Sequence, residues 1–151
     1  MKTLNYLKQL SQEYLKTKHP NVPKHCLPVI KYSDKTANGL TKCIIDFIQY
    51  EGGQAERISV VSRKVAGKFV KSTMTKGTAD ISATIPVYFR DSNGNFLIKK
   101  GLSVKIEVKI GKDKQSEEQK QYEQDILNAG GYYFIAKDFN SFYEWYNNNF
   151  V

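Results

Sequence analysis

The chain has 151 residues, of which 40% are hydrophobic and 25% are charged. This composition is typical of one globular domain that buries its core without a disulfide or a structural metal, and it excludes collagen-like and disordered classes. The 23 basic and 15 acidic residues give a formal net charge of +8, which favours a polyanionic partner such as nucleic acid. No apolar run approaches the roughly 20 residues of a membrane span, so we expect no membrane partner.

The start of the chain and its two cysteines bear on the compartment in which the protein works. Leu4, Leu7 and Leu10 recur at helical spacing, whereas a signal peptide has a continuous apolar core. Cys26 and Cys43 lack the close spacing of a disulfide framework, so we expect both thiols to be reduced. The sequence therefore predicts a cytoplasmic protein, in a bacterium or in the host of a phage.

Two helices are predicted before the first strand. Apolar spacing predicts a helix over residues 3–17, after which prolines break the pattern and keep the next stretch extended. Residues 34–51 repeat apolar side chains at helical intervals, and a pair of glycines ends them. We therefore expect an N-terminal accessory helix and linker at residues 1–33 and a main domain at residues 34–151.

Strand signals dominate the middle of the chain. We predict a short strand over residues 55–61 and then two segments, 79–87 and 102–110, in which apolar and polar residues alternate. Period two gives each segment one apolar face. Asn93-Gly94 lies between them, and this pair favours a two-residue type I′ turn, so the two segments are predicted to form a hairpin.

A strongly basic segment separates the first strand from the hairpin. Between residues 62 and 77 it has no acidic residue, and a phosphate-contacting loop and a solvated basic surface would both account for this. The residues predicted to contact nucleic acid are Arg57, Arg63, Lys64, Lys68, Lys71 and Lys76.

Helix and strand signals alternate again after the hairpin. Residues 116–129 are predicted to be a helix that opens with a capping box of Ser116 and Gln119. A buried strand at residues 132–136 and a last helix with an aromatic stripe follow. The order predicts an α/β fold with a mixed sheet flanked by helices. The stripe would pack in the core, stack on bases or bind a second copy in a homodimer.

The polar face of the hairpin holds two acidic residues. With the predicted turn and an unbroken ladder, Asp80 lies opposite Glu107. Opposed carboxylates on neighbouring strands repel each other unless a cation compensates, and Mg²⁺ prefers such oxygen ligands. Lys109 points to the same face and would orient a water or a phosphate. A bulge at Pro86 would shift this register, and a solvated charge ladder is the alternative interpretation.

Gln119 is a further polar residue that we expect near this pair. It shares a helical face with Tyr122 and Ile126, the face that should pack on the sheet, where an amide needs a partner. Capping the helix together with Ser116 is the alternative role. We expect that one side chain cannot fully serve both roles.

These motifs resemble those of the PD-(D/E)XK nuclease superfamily. The residues that carry the resemblance are Gly77-Thr78-Ala79-Asp80, then Ile106-Glu107-Val108-Lys109, and then Gln119 one helix before Gly130-Gly131. The trailing glutamine and glycines are similar to the VRR-NUC branch, and the resemblance covers residues 38–136. It implies a restriction-endonuclease-like fold.

The resemblance also implies a role for each residue. Asp80 and Glu107 would bind Mg²⁺, for which Mn²⁺ would substitute, together with the Val108 backbone carbonyl. Lys109 would position the attacking water, and Gln119 would assist at the same site. The implied reaction is phosphodiester hydrolysis by in-line attack of water, with no covalent enzyme intermediate.

One position departs from the family pattern. Family members often carry an acid in the first core helix, and the matching position here is Asn38. An amide is able to bind a metal's water or DNA, but it weakens the case for a second metal and leaves room for a reduced activity. Glu51 is the alternative acid, at the wrong end of this helix.

The sequence therefore predicts a Mg²⁺-dependent DNA endonuclease with Asp80, Glu107, Lys109 and Gln119 in its site. Small phage and mobile-element members of the superfamily include Holliday-junction resolvases, so we expect a structure-selective enzyme that acts on branched DNA. A non-catalytic DNA-binding module that retains the fold is the main alternative. A basic structural protein, in which Asp80 and Glu107 are not adjacent, is the third.

Other chemistries have little support in the sequence. The two histidines and two cysteines match no zinc spacing, and neither histidine lies near the predicted site. The segment 111–114 lacks the spacing of a P-loop and is predicted to be an ordinary loop.

Overall fold

The computed structural model describes residues 2–58, 63–65, 68–70, 75–90, 92–94 and 96–151, of which 63–65, 68–70, 90 and 96–98 are described by their backbone alone. The helices are α1 (Lys2–Lys18), α2 (Ala37–Tyr50), α3 (Glu117–Asn128) and α4 (Phe139–Phe150), with a single 3-10 turn at Lys24–Cys26. The strands are β1 (Gln54–Arg57), β2 (Arg63–Val65), β3 (Lys68–Val70), β4 (Ile81–Arg90), β5 (Phe96–Val108) and β6 (Tyr132–Ala136).

A four-stranded mixed sheet forms the centre of the fold. Its order is β1-β4-β5-β6; β1 pairs antiparallel with β4, β4 pairs antiparallel with β5, and β6 is parallel to β5. The apolar face of the hairpin, which includes Ile81, Ala83 and Ile106, packs in one core with α2 and α4. Helix α3 lies over the other face, where Gln119 meets Glu107. This arrangement confirms the predicted α/β class with a mixed sheet flanked by helices.

The predicted hairpin register holds along most of its length. The ladder of β4 and β5 runs from Ile81 opposite Ile106 to Phe89 opposite Ile98, and Pro86 faces Gly101 without a shift. The register shifts only between Phe89 and Arg90, so the bulge considered at Pro86 does not occur. Because Arg90 pairs with Phe96, the connection is longer than the predicted two-residue turn.

Several element boundaries differ from the predictions for tertiary reasons. Helix α2 begins at Ala37 rather than at Asp34, because Thr36 caps it by accepting a hydrogen bond from the Gly39 N–H at 3.1 Å. Asp34 instead accepts the Phe139 N–H at 3.2 Å, at the start of α4. Strand β5 ends at Val108, before the predicted 110, and strand β1 ends at Arg57. Residues 59–62, which include the end of the first predicted strand, lie outside the described residues.

The basic segment is not simply a loop. Strands β2 and β3 pair antiparallel within it, so the backbones of Arg63, Lys64 and Lys68 belong to a short two-stranded ladder. The side chains of these three residues, and all of Lys71, lie outside the described residues. Lys76 is described and is exposed.

Aromatic side chains from α4 fill the core beside α2. Phe139 and Phe142 are fully buried, and the Phe47 ring of α2 contacts both of them edge-on, at centroid distances of 5.7 and 5.9 Å. Core packing of the aromatic stripe is thereby confirmed for these residues. Among the described residues, no helix is both long enough and apolar enough to cross a membrane.

Candidate metal centre

Asp80 lies immediately before β4 and is hydrogen-bonded to residues at the ends of both neighbouring strands, β1 and β5. Its backbone carbonyl accepts the Ile58 N–H at 2.7 Å, and its Oδ2 accepts the Val108 N–H at 2.9 Å. The carboxylate therefore lies beside the end of β5, one residue from Glu107. The third alternative assumed that Asp80 and Glu107 are not adjacent, and the structure instead places Asp80 beside the end of β5.

Glu107 is a buried carboxylate at the end of the central strand. Its side chain is 1% exposed, and its Oε1 accepts hydrogen bonds from Lys109 Nζ at 3.1 Å and from Gln119 Nε2 at 2.5 Å. The other oxygen, Oε2, is buried and has no hydrogen-bond partner among the described protein residues. A buried carboxylate oxygen without a partner is costly, because it has lost its water without replacement.

The surroundings of Glu107 disfavour its ionised form. Burial raises its pKa, the nearby charge of Asp80 raises it further, and Lys109 and Gln119 offset only part of the effect. A divalent cation between the two carboxylates would reverse this balance. The two carboxylates would therefore favour a cation beside them in addition to Lys109.

Lys109 supplies a fixed positive charge on the same strand. Its side chain is 9% exposed, and its Nζ lies 3.1 Å from Glu107 Oε1 and 3.4 Å from Asp113 Oδ2. Burial lowers its pKa, but the two carboxylates outweigh burial and the pKa is raised. Lys109 is thus a charged ammonium at neutral pH, suited to stabilising negative charge and not to accepting a proton.

Gln119 serves both of the roles considered for it. Its Oε1 accepts the Ser116 N–H at 3.0 Å and its backbone N–H donates to Ser116 Oγ at 3.3 Å, which completes the predicted capping box. Its Nε2 meanwhile donates to Glu107. The expectation that one side chain cannot serve both roles is therefore wrong, because the two ends of the amide bind different partners.

Gly77 brings the segment before Asp80 against the start of α3. It has a positive φ of 78°. A Cβ at this position would overlap the Glu118 carbonyl and lie 2.7 Å from the Gln119 nitrogen. Only glycine permits both the backbone conformation and this close approach. Gly77 was quoted in the sequence motif, but its contact with α3 depends on tertiary structure.

Asn38 and Arg57 form a pair at the same end of the sheet. Arg57 Nη1 donates to Asn38 Oδ1 at 2.9 Å, and both side chains are exposed. Arg57 faces Ile81, the residue after Asp80. Asn38, which stands where the family often has an acid, thus holds Arg57 near the candidate metal centre.

Two residues that the sequence did not single out also belong to these surroundings. Asp113 pairs with Lys109, but their spacing of four residues indicates a contact only in a helix, and the two lie in the turn after β5. Tyr133 is buried, and its pKa is raised first by burial and second by the charge of Glu107. No sequence signal tied Tyr133 to Glu107, because the two residues meet across the parallel pair of β5 and β6.

The donor set fits a hard divalent cation. Asp80 and Glu107 supply carboxylate oxygens, and Glu107 Oε2 has no protein partner among the described residues. The same part of the chain contains no cluster of three or more His, Cys, Asp and Glu side chains that would enclose a metal. Mg²⁺ commonly binds one or two carboxylates and keeps several waters, so two carboxylates and a backbone carbonyl are sufficient.

Comparisons of the chain with protein-family models, with curated proteins and with solved structures found no match. The chemistry of the site therefore has to carry the functional inference. Two adjacent carboxylates, a charged lysine and an amide that fixes one carboxylate together suit metal-assisted hydrolysis of an anionic substrate.

Proposed function

We propose that the chain is a Mg²⁺-dependent DNA endonuclease with a restriction-endonuclease-like fold. One observation carries the proposal: the buried Glu107 carboxylate lies beside Asp80 with an oxygen that no described protein group satisfies. Most buried polar side-chain atoms in proteins have a hydrogen-bond partner. The mixed sheet is compatible with the fold that the PD-(D/E)XK resemblance implies, and the net charge of +8 suits a polyanionic substrate.

The metal ligands in this proposal are Asp80, Glu107 and the Val108 backbone carbonyl. Bound there, Mg²⁺ would polarise the scissile phosphate and lower the pKa of a water molecule. Mn²⁺ offers the same charge and preference for oxygen ligands, so we expect it to substitute.

The protein's own groups would hold the reactants in place. Lys109 would attract the scissile phosphate and stabilise the charge that develops on it, because its ammonium is fixed between Glu107 and Asp113. Gln119 would keep the Glu107 carboxylate in one orientation. Arg57, at the end of β1, is held by Asn38, and Lys76 lies shortly before β4. Both side chains are exposed and would bind the DNA backbone.

The preferred substrate in this proposal is branched DNA. The resemblance to small phage and mobile-element nucleases, Holliday-junction resolvases among them, supports a structure-selective enzyme.

A cleavage assay tests the proposal. It would compare a four-way junction, a flap, a single strand and a linear duplex with Mg²⁺, Mn²⁺ or EDTA, using the wild type, Asp80→Ala and Glu107→Ala. Glu13→Ala, which removes an exposed carboxylate from α1, is the matched control. We expect metal-dependent cleavage by the wild type and the control, strongest on the junction, and none by the two site variants.

The second candidate is a DNA-binding module without catalysis. Asn38 favours it, because this position bonds to Arg57 and supplies no third carboxylate. DNA binding by the wild type without cleavage of any substrate in either metal would support this candidate and contradict the nuclease. Cleavage that persists in Glu107→Ala would contradict the assignment of the site.

A further inference from the structure

A basic cleft adjoins the candidate metal centre on the side away from the hairpin turn. Its volume is about 270 Å³, and its lining includes Lys109, Asp113, Lys114, Lys120, Ile135 and Lys137. These residues come from the end of β5 and the segment after it, from the first turns of α3 and from the end of β6. The cleft therefore lies at the carboxyl ends of two parallel strands, a common place for ligands in α/β sheets.

The charges of this cleft are unevenly compensated. Lys109 forms ion pairs with Glu107 and Asp113, and Lys120 lies 2.7 Å from Glu117. Lys114 and Lys137 are exposed, and neither forms an ion pair within the described part of the chain. Two uncompensated ammonium groups thus face one cleft, and the charge that they would accept is negative.

Lys109 links the cleft to the candidate centre. It lines the cleft and is also 3.1 Å from Glu107 Oε1. An anion held by Lys114 and Lys137 would therefore lie next to any phosphate that Lys109 attracts. Neighbouring phosphates of one strand satisfy this arrangement.

The size of the cleft narrows the chemical class of the ligand. Its volume of about 270 Å³ lies below the roughly 300–1,000 Å³ of pockets that enclose whole small molecules. Its lysines are exposed, and they offer point charges without an aromatic side chain for a base among the described lining residues. These features suit one phosphate group of a longer strand better than a free nucleotide.

We infer that this cleft binds a phosphodiester group of the DNA strand next to the scissile phosphate, through Lys114 and Lys137. The inference rests on the proposed function, because there is a scissile phosphate only if the protein is a nuclease. It deepens that function by assigning the path of the strand. The strand leaves the metal centre over the end of β6 and the start of α3. Arg57 and Lys76, the two predicted DNA contacts whose side chains the structure describes, are not among the lining residues of this cleft.

The test measures DNA binding without cleavage. Anisotropy of a labelled junction and a labelled single strand would be measured in EDTA over a range of salt concentrations, for the wild type and for Lys114→Gln/Lys137→Gln. The control is Lys8→Gln/Lys31→Gln, which makes the same change in charge at exposed lysines that form no ion pair among the described residues. Each DNA would carry a 5′-hydroxyl or a 5′-phosphate.

The expected result is a shallower salt dependence for the cleft variant alone. The loss of one phosphate contact reduces the slope of log K against log salt by about 0.9 on duplex arms and about 0.7 on the single strand. The reduction should be the same with either 5′ end. An equal reduction in the control, or no reduction in the cleft variant, overturns the inference. A reduction seen only with 5′-phosphorylated DNA also overturns it, because the cleft would then bind a terminal phosphate and not an internal phosphodiester.

The two proposals fail in different measurements. If the cleft variant shows the reduced slope but the wild type cuts no substrate in Mg²⁺, the nuclease proposal fails and the phosphate site stands. If the wild type cuts the junction but the slopes of the cleft and control variants agree, the phosphate site fails and the nuclease stands.

Discussion

Glu107 carries a charge that the folded protein alone stabilises poorly. Burial and Asp80 raise its pKa, and one of its oxygens has no partner among the described residues. Such a residue lowers the stability of the metal-free protein when it is ionised. This cost is typical of binding sites, where a ligand supplies the interaction that is missing.

Glu107→Gln should remove this cost together with the metal site. The amide retains an oxygen for Lys109 and Gln119 and loses the negative charge beside Asp80. We expect its melting temperature in EDTA at pH 7.5 to equal or exceed that of the wild type. Saturating Mg²⁺ should stabilise the wild type, by about 2.7 kcal/mol at 100 times Kd, and should leave the variant unchanged.

The raised pKa of Glu107 also predicts how the difference in stability between the wild type and Glu107→Gln changes with pH. A carboxyl whose pKa is raised on folding contributes stability below its unfolded pKa and loses that contribution as the pH rises through its folded pKa. In EDTA, the stability of the wild type relative to Glu107→Gln should therefore fall from about pH 4.5 upward, as melting curves would show. Glu13→Gln is the control for both experiments. If Mg²⁺ stabilised Glu107→Gln as much as the wild type, the assignment of Glu107 as a metal ligand would be contradicted.

The two functions of Gln119 are separable by mutation. Ser116→Ala removes the cap of α3 and leaves the Gln119 Nε2 bond to Glu107, so it should cost about 0.5–2 kcal/mol of stability and little activity. Gln119→Ala keeps the bond from its backbone N–H to Ser116 Oγ but removes the Oε1 half of the capping box and the Nε2 bond to Glu107. The loss of a group that orients a ligand typically costs about 10–100-fold in metal affinity or activity. Melting curves in EDTA and junction cleavage in Mg²⁺ would measure the two effects. Equal losses of cleavage in both variants would show that Gln119 acts only through the helix.

At the scale of elements, Gly77 determines how the segment before β4 meets α3. Gly77→Ala should cost about 1–3 kcal/mol for its positive φ, and more for its overlap with the Glu118 carbonyl. Gly130→Ala is the matched control, because φ is 79° at that position and an added Cβ meets no atom within 4 Å. We expect Gly77→Ala alone to lose the stabilisation by Mg²⁺, since the added Cβ would push the segment that carries Asp80 away from the start of α3. Equal melting temperatures and equal responses to Mg²⁺ in the two variants would contradict this role.

Local patterns predicted some elements well because local chemistry determines them. Alternation fixed the faces of β4 and β5, and the capping box marked the start of α3 at Ser116. The predicted register rested on a two-residue turn and an unbroken ladder, whereas the structure has a longer connection and a register shift between Phe89 and Arg90. These two departures cancel, so the pairing from Ile81 to Phe89, and with it the position of Asp80 beside the end of β5, agrees with the prediction. Alternation alone determines only which face of the sheet each residue occupies.

Other features depend on distant parts of the chain and left no local signal. Asp34 resembles a helix cap, but it accepts a hydrogen bond from Phe139, 105 residues away, and leaves the capping of α2 to Thr36. The lysines of the basic cleft are dispersed over three elements, so no run of basic residues marked them. Tertiary packing, rather than propensity, decided each of these cases.

At the scale of the whole molecule, α1 shares the core of the sheet. Leu7 is fully buried in the same cluster as Leu40 and Phe142, and Tyr6 contacts Tyr143 of α4 edge-on at 5.6 Å. The stretch between α1 and α2 is also tied to the fold, because Tyr32 donates a hydrogen bond to Asp46 at 2.8 Å. Residues 1–33 were predicted to be an accessory segment, and mutation of Leu7 would test how far they fold independently.

Leu7→Ala should lower the free energy of unfolding of the entire protein by about 2–5 kcal/mol, because it leaves a cavity between α1 and the core. Unfolding would be followed by far-ultraviolet circular dichroism and by fluorescence of Trp145, the single tryptophan, which stacks on Phe134 of β6 at 4.6 Å. One cooperative core requires both signals to shift together. The control is Leu127→Ala, whose side chain is 46% exposed and should cost far less.

Leu7→Ala should affect catalysis at the candidate metal centre much less than it affects the stability of the protein. Helix α1 packs against α2 and α4, which themselves contact the sheet, whereas Glu107 bonds to Gln119 of α3 on the opposite face. Leu7→Ala should therefore reduce the fraction of folded protein near the melting temperature without changing kcat per folded molecule well below it. A variant that loses the helical signal first, with Trp145 unshifted, would instead establish α1 as an independent accessory unit. A variant that stays folded but cleaves slowly would show that α1 braces the metal centre through the sheet.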